Sequence, residues 1–483
     1  MPETIDKKKA AEYRGYAGLP ALVGLHGMDE VQTTGLTVQE SVSRLLRLHW
    51  AMRRLHGILI AHIASEPVYE LKMAYSLHAH ILAEHVGAIA GRVREMRQPP
   101  YGLETCPDAA LDQMLDEILC APDTTSLVAG VYGVTVPALT AALSGIVKNT
   151  NRLFDHPTYR ICRLALVEME EVEAYGKEAV TCLCMKMSAD QKAWQTSLEN
   201  LLKAVGGLDG CAQPSGKRIE RIYSKTPFVY DGTPKRDERF QDPYNMGVNA
   251  EAMLFREDIP AQPKTLMLYF KRMREIDVPE VIAGIMAETP GQPWEYYRDM
   301  TRQLWDEARH AMMGEVGFVS LGVDWKTIPF NLTWSLGLNT KLAPLDRHAV
   351  LFTIEQGLMP KKTGKEYEWE VAVAAADPLS ELIQDYDWAD EILHARIGRD
   401  WLVPKFGTMP AAQALGDQAW SSILIDWERW KEQGLTQHRN WWPDVYKQAC
   451  ATWNVPVDPA VLAYCTTYKD VRADMKDIPA MAE

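Results

Sequence analysis

Two short stretches, far apart in the chain, repeat one pattern: Asp306-Glu307-Ala308-Arg309-His310 and Asp390-Glu391-Ile392-Leu393-His394. Each is Glu-x-x-His inside a run with helical spacing of apolar residues. On a helix, residues three apart sit about one turn apart on the same face, so each pair offers a carboxylate and an imidazole to one point. Two such pairs facing each other, with one further Glu from each of two more helices, make the ligand set of a dinuclear metal site in a four-helix bundle. A lone Glu-x-x-His usually lies on a solvated face. Here Leu304, Ala308, Ala311 and Met312 surround the first pair, and Ile392, Leu393 and Ile397 the second. Gly314 and Gly398 follow the two histidines at the same offset, which permits close helix contact.

The rest of the chain supplies helices to carry such a site. Apolar residues recur at three- and four-residue spacing nearly throughout, predicting an all-α protein. Helices are expected over 42–64 and 67–96, turning at Ser65-Glu66-Pro67, and over 136–154, 157–187 and 189–204. Residues 206–262 are rich in Gly, Pro and charge and read as an irregular connector. Helices resume over 264–288, 294–321, 345–358 and 378–403, followed by a Trp-rich extension with Trp420, Trp427, Trp430, Trp441 and Trp442. The expected domains are therefore 1–205, a helical domain; 206–262, the connector; 263–406, the metal-binding bundle; and 407–483, a helical C-terminal extension whose tryptophans serve packing.

The first domain carries a faint echo of the second. His80-Ile81-Leu82-Ala83-Glu84-His85-Val86-Gly87 aligns with His310-Ala311-Met312-Met313-Gly314-Glu315-Val316-Gly317, and in that register Leu77 replaces Glu307. None of Glu168, Glu170, Glu171 or Glu173 begins a Glu-x-x-His, and none of His49, His56, His62, His78, His80 or His85 has a Glu three positions before it. This half reads as a degenerate bundle of the same type that has lost its metal.

Geometry proposes the remaining ligands. If the 264–288 helix turns back near Pro290, the residue level with Glu307 and His310 lies roughly fifteen to eighteen positions before the turn, which selects Glu275 and leaves Glu280 as an outer partner. Glu355 is the acidic residue well inside the 345–358 helix and the natural partner of Glu391 and His394. The expected metal-binding and catalytic set is Glu275, Glu307, His310, Glu355, Glu391 and His394. Four buried carboxylates repel one another, and two divalent ions neutralise them. The donors suit iron first and manganese second. Asp306 and Asp390 are placed to accept the outer imidazole N–H of the opposite pair, with Arg309 and Arg396 bridging to these acids. Tyr269, Met273, Trp305, Met313 and Phe352 are candidate cavity residues, although core packing explains each of them equally well.

Three segments in this half resemble a ferritin-like family of largely uncharacterised bacterial proteins related to the non-haem di-iron tRNA hydroxylases. Glu275-Ile276-Asp277-Val278-Pro279-Glu280 is similar to its first-helix Glu with a second Glu five positions on. Asp306-Glu307-Ala308-Arg309-His310 resembles its Glu-Ala-Arg-His segment. The stretch from Asp390-Glu391 through His394 and Gly398 to Trp401 resembles its Asp-Glu-x-x-His-x-x-x-Gly-x-x-Trp ending, the most specific of the three. The resemblance spans about 264–406 and implies a ferritin-like four-helix bundle, with Glu275 rather than Glu280 as ligand. It carries the expectation of an oxygenase or oxidase that uses two Fe ions and dioxygen to oxidise a small-molecule substrate, with an external reductase or ferredoxin as electron donor. The alternatives are a manganese or mixed-metal dinuclear hydrolase and an iron-binding or peroxide-scavenging protein.

Composition narrows the partners. A net charge of −14 argues against a broad nucleic-acid surface, and the patch Lys217, Arg218, Arg221 and Lys225 reads as a solvated loop. The eight cysteines lack regular spacing, and Cys182 and Cys184 have no second pair to complete a zinc site. With no signal-peptide core, and no apolar run judged long enough to span a bilayer (the 55–64 run is interrupted by His56 and His62), a cytoplasmic location is expected. A homodimer is compatible with all of this.

Overall fold

The computed structural model describes residues 10–423, 427–468 and 470. Among them every regular element is helical and none is a strand, so the protein is all-α. The chain divides into two compact units, residues 1–58 with 81–229 and residues 59–80 with 230–483.

The first stretch contains α1 (Val38–Ile63), α2 (Tyr69–Met96), α3 (Ala109–Leu119), α4 (Thr124–Asn149), α5 (His156–Leu183) and α6 (Ala189–Ala204). The tip of the α1–α2 connection, residues 59–80, belongs to the second unit. Asp108, Asp123, Asp155 and Ser188 cap α3, α4, α5 and α6 by accepting backbone N–H groups of the first turn. Helix α4 differs from expectation. It starts well before Val136 and runs 26 residues, long and apolar enough by composition to cross a membrane, although 72% of its most apolar window is buried inside the protein. Pro137 lies inside this helix. The chain passes it through a π-turn at Val131–Thr135, which absorbs the lost backbone hydrogen bond.

In the second unit, α7 (Ala261–Arg274) is followed by α8 (Asp277–Ala287), α9 (Trp294–Ser320), α10 (Thr333–Lys341), α11 (Pro344–Gly357), α12 (Lys365–Ala374), α13 (Pro378–Trp401), α14 (Met409–Ile423) and α15 (Trp442–Trp453). Sequence periodicity suggested one helix over 264–288, but the ladder breaks at Glu275 and Ile276. Pro279 is the cause. It has no N–H to give the carbonyl of Glu275, and its ring crowds that carbonyl. The carbonyl accepts instead from Val278 at 3.0 Å, a tighter turn. The α7–α8 rod packs on α9, α9 on α13, α13 on α11, and α11 on α8, so four rods close on one another. Helix α12, which the sequence reading missed, lies against α7 and α13.

Two glycines set how closely these rods approach. A Cβ at Gly314 of α9 would collide with the α7 backbone at Met273 and lie 2.7 Å from the Tyr269 carbonyl oxygen. At Gly398 of α13 it would collide with the Phe352 ring of α11. Both are the glycines that follow the motif histidines. Helix α9 ends at Gly322 (φ 64°), with Val323 donating to the Phe318 carbonyl at 3.0 Å and Gly322 to Val319 at 3.0 Å. From the C-terminal extension, Trp441 and Trp442 are fully packed: Trp441 lies 4.6 Å from Phe270, and Trp442 stacks on Tyr446. The Trp427 side chain lies outside the described residues.

Candidate metal centre

The bend at Glu275, the middle of α9, the end of α11 and the middle of α13 bring all six expected residues together. They fall into two groups, Glu275, His310, Asp387 and Glu391, and Glu307, Glu355, Glu391 and His394. Within each group the ligand atoms lie within 4.8 Å of one another, and Glu391 belongs to both. Glu275 alone is partly open, with 17% of its side chain exposed; the others are buried.

The two histidines sit symmetrically, their ring centroids 5.9 Å apart. Nδ1 of His310 lies 3.5 Å from Glu275, 3.5 Å from Glu307 and 3.4 Å from Asp387. Nδ1 of His394 lies 3.3 Å from both Glu307 and Glu391. Each Nε2 points the other way, His310 to Asp390 at 3.2 Å and His394 to Asp306 at 3.4 Å. The reciprocal Asp–His pairing expected from the motif is therefore present, and it leaves Nδ1 turned towards the carboxylates. Arg309 binds both Asp306 and Asp390. Arg396 does not bridge to them; it is exposed, and Arg302 takes its place beside Asp306.

The cluster holds three residues that the sequence reading passed over. Asp387 stands one turn before Glu391, on the same face of α13, a placement visible in the sequence once ligands other than Glu are admitted. The other two are cations. Lys365 Nζ, at the start of α12, lies 2.9 Å from each Asp387 oxygen, 2.9 Å from Glu391 and 3.6 Å from Glu275. Arg272 of α7 pairs with Asp387, and with Glu275 at 2.9 Å.

Burial alone would discourage charge here, and the neighbours decide its distribution. Burial opposes ionisation of Glu275, but Arg272 and Lys365 outweigh it and hold the carboxyl down to about 2. Glu391 is held well below the usual range, burial again being outweighed, chiefly by Lys365. Glu355 goes the other way, raised by burial and then by the adjacent Glu391 charge. Burial disfavours the imidazolium of His310, yet Asp390, Glu275 and Glu307 raise it to about 10; carboxylates likewise raise His394.

Glu280 does not serve the cluster. Five residues beyond Glu275 it points about 140° around the helix. It is buried among Lys72, Arg236 and Ser335, whose hydroxyl donates to it at 2.7 Å. Of the two readings open for the candidate cavity residues, core packing is the one found. Tyr269, Met273 and Phe352 are buried core, and Trp305 and Met313 pack against that core. The cavity beside the cluster, about 320 Å³, is lined instead by Glu275, Glu307, Glu355, Glu391 and Lys365 together with Trp334, Trp420, Trp430, Leu351 and Ile354. Trp420 and Trp430 thus have a cavity role that packing did not suggest.

These residues fit a metal. Five carboxylates and two imidazoles form a hard-to-borderline donor set. Among the described residues, Glu275 Oε2, Glu355 Oε2 and His310 Nδ1 are buried polar atoms with no hydrogen-bond partner. An orphaned buried polar atom is costly, and a cation at the centre satisfies the two carboxylate oxygens directly and Nδ1 once its proton has left. No protein-family profile, curated protein or solved structure matches this chain.

Proposed function

We propose that the second unit is a ferritin-like four-helix bundle holding two iron ions, and that the protein is a non-haem di-iron oxygenase or oxidase acting on a small organic molecule. The observation that carries this reading is the pair of four-residue ligand groups sharing Glu391 beside a cavity of about 320 Å³. Glu275, His310, Asp387 and Glu391 would hold one ion, and Glu307, Glu355, Glu391 and His394 the other. Iron bound there supplies activation of dioxygen, which protein side chains do not perform themselves.

The chain's own residues prepare the site. Asp306 and Asp390 fix the imidazoles so that Nδ1 faces the ligands, and Arg309 holds the two aspartates in register. Trp334, Trp420, Trp430, Leu351 and Ile354 offer an apolar wall that excludes water and accepts an organic substrate. That wall favours substrate oxidation over iron storage. An external reductase or ferredoxin would return the electrons.

Metal analysis tests the reading. Protein loaded anaerobically with ferrous iron should carry about two irons per chain, and oxygen should then produce a transient visible absorbance. Zinc as the sole tightly held metal, or iron without any oxygen-dependent change, would overturn it.

A further inference from the structure

The two ligand groups are not equivalent. Asp387, Glu391 and Glu275 already face a lysine ammonium: Lys365 Nζ is 2.9 Å from both Asp387 oxygens and from Glu391, and 3.6 Å from Glu275. Arg272 adds a second fixed positive charge on Asp387 and Glu275. Both side chains are buried, so neither is screened by solvent. Glu307 and Glu355 have different company. Among the described residues their polar neighbours are the two imidazoles, Glu391 and Gln303, whose amide donates to Glu355 at 2.9 Å, and neither is in ion-pair contact with a lysine or arginine.

We propose that the centre loads in order: a first divalent ion enters the Glu307, Glu355, Glu391 and His394 group, and a second enters the Glu275, His310, Asp387 and Glu391 group only when the Lys365 ammonium moves off Asp387 and Glu391. This deepens the dinuclear reading and rests on it. A carboxylate oxygen holds a divalent metal at roughly 2.0–2.2 Å, and the same oxygens already hold the ammonium at 2.9 Å, so ion and ammonium compete for them. Net charge leads to the same order. With both imidazoles neutral and all five carboxylates ionised, as ligation requires, Lys365 and Arg272 leave a charge of minus three. One divalent ion brings this to minus one, and two overshoot to plus one, an unfavourable excess in a buried site. Without the lysine charge, two divalent ions bring the centre to neutrality. Lys365 is thus a positioning residue that keeps the metal-free cluster folded and sets the affinity of one half.

The test is an anaerobic calorimetric titration of the metal-free full-length protein with manganous ion, with elemental analysis of the bound metal. The wild type should bind one ion tightly and a second about tenfold or more weakly. Lys365→Met should bind two, with the second step tightened to approach the first. Asp387→Asn should lose the weak ion and keep the tight one, which supplies an independent reading if the lysine variant folds poorly. Two equal steps in the wild type, an unchanged second step in Lys365→Met, or loss of the tight ion in Asp387→Asn would each overturn the ordered loading while leaving a dinuclear site standing. Absence of bound ion in all three proteins would remove the dinuclear site and the loading order together.

Discussion

Histidines buried in α1 and α2 and histidines buried in α9 and α13 are alike removed from water, yet the first are neutral and the second are charged. Burial drives His56 and His78 down to about 3 and His49 to about 4, so all three are neutral. His310 is raised to about 10, because the carboxylates around it outweigh the same burial. Desolvation is common to both regions, and acidic neighbours are what differ. In the first region His85 meets Glu168 at 2.5 Å, whereas all the groups with ligand spacing found among the described residues lie on the α7–α13 segment. A helical frame with histidines is therefore not a metal site until carboxylates converge on the same point.

The largest effect should come from removing the residue both groups share. Glu391→Ala should abolish tight metal binding in elemental analysis, while His80→Ala in α2 should leave metal content intact. Metal retained in the first variant, or lost in the second, breaks the comparison. Asp306→Asn comes next. It keeps the shape but weakens the hold on His394 Nε2, and about 10- to 100-fold of metal affinity should be lost. An unchanged affinity would show that the orientation of His394 does not depend on Asp306.

Acid and base should separate the two regions further. His56 and His78 are neutral in the fold but take a proton in the unfolded chain below its ordinary value near 6.5. Their contribution to stability is present above that pH and lost as pH falls towards 3. The raised His310 behaves oppositely in the metal-free protein: its contribution is present below about 6.5 and is lost as pH rises through about 10. Urea unfolding of metal-free protein should therefore show a falling midpoint below pH 6.5 that is shallower in His56→Leu. Metal must displace the imidazole proton, so binding at pH 7 should release about one proton per ligating histidine, measurable by calorimetry in buffers of different ionisation enthalpy. A pH-independent acid limb in His56→Leu and wild type alike, or binding without proton release, would contradict these charge states.

Much of the centre was legible because a helix repeats in a known way. Three-residue spacing places Glu307 with His310 and Glu391 with His394, a simple level argument finds Glu275, and Glu355 is the acidic residue well inside its helix. The Asp–His crossing followed from each aspartate standing just before its motif glutamate. What periodicity could not supply were groups that reach the cluster from outside that pattern. Lys365 arrives from α12, a short helix of ten residues behind the loop at Met359-Pro360, and Arg272 arrives from the turn before the Pro279-induced break. Cations are also not sought among metal ligands, although buried carboxylates without a bound metal need them. The cavity tryptophans were hidden for a similar reason. Trp334, Trp420 and Trp430 come from segments whose tertiary placement no local pattern encodes.

Glycines sharpen the same contrast at the smallest scale. Gly314 sits where α9 meets the α7 backbone, and an added methyl group has no space there. Gly57 in α1 and Gly91 in α2 have nothing within 4 Å of the position a Cβ would take. Gly314→Ala should therefore destabilise the protein by about 1–3 kcal/mol through forced backbone movement and lower metal affinity, because His310 lies one turn away. Gly57→Ala, in an exposed helix interior, should stabilise by about 0.5–1 kcal/mol, since alanine loses less backbone freedom on folding. Urea midpoints with unchanged slopes would measure both. If Gly314→Ala were as harmless as Gly57→Ala, the close approach of α9 and α7 would not be what positions His310 beside Glu275, and the ligand geometry would have to be set by the Asp390 hydrogen bond alone.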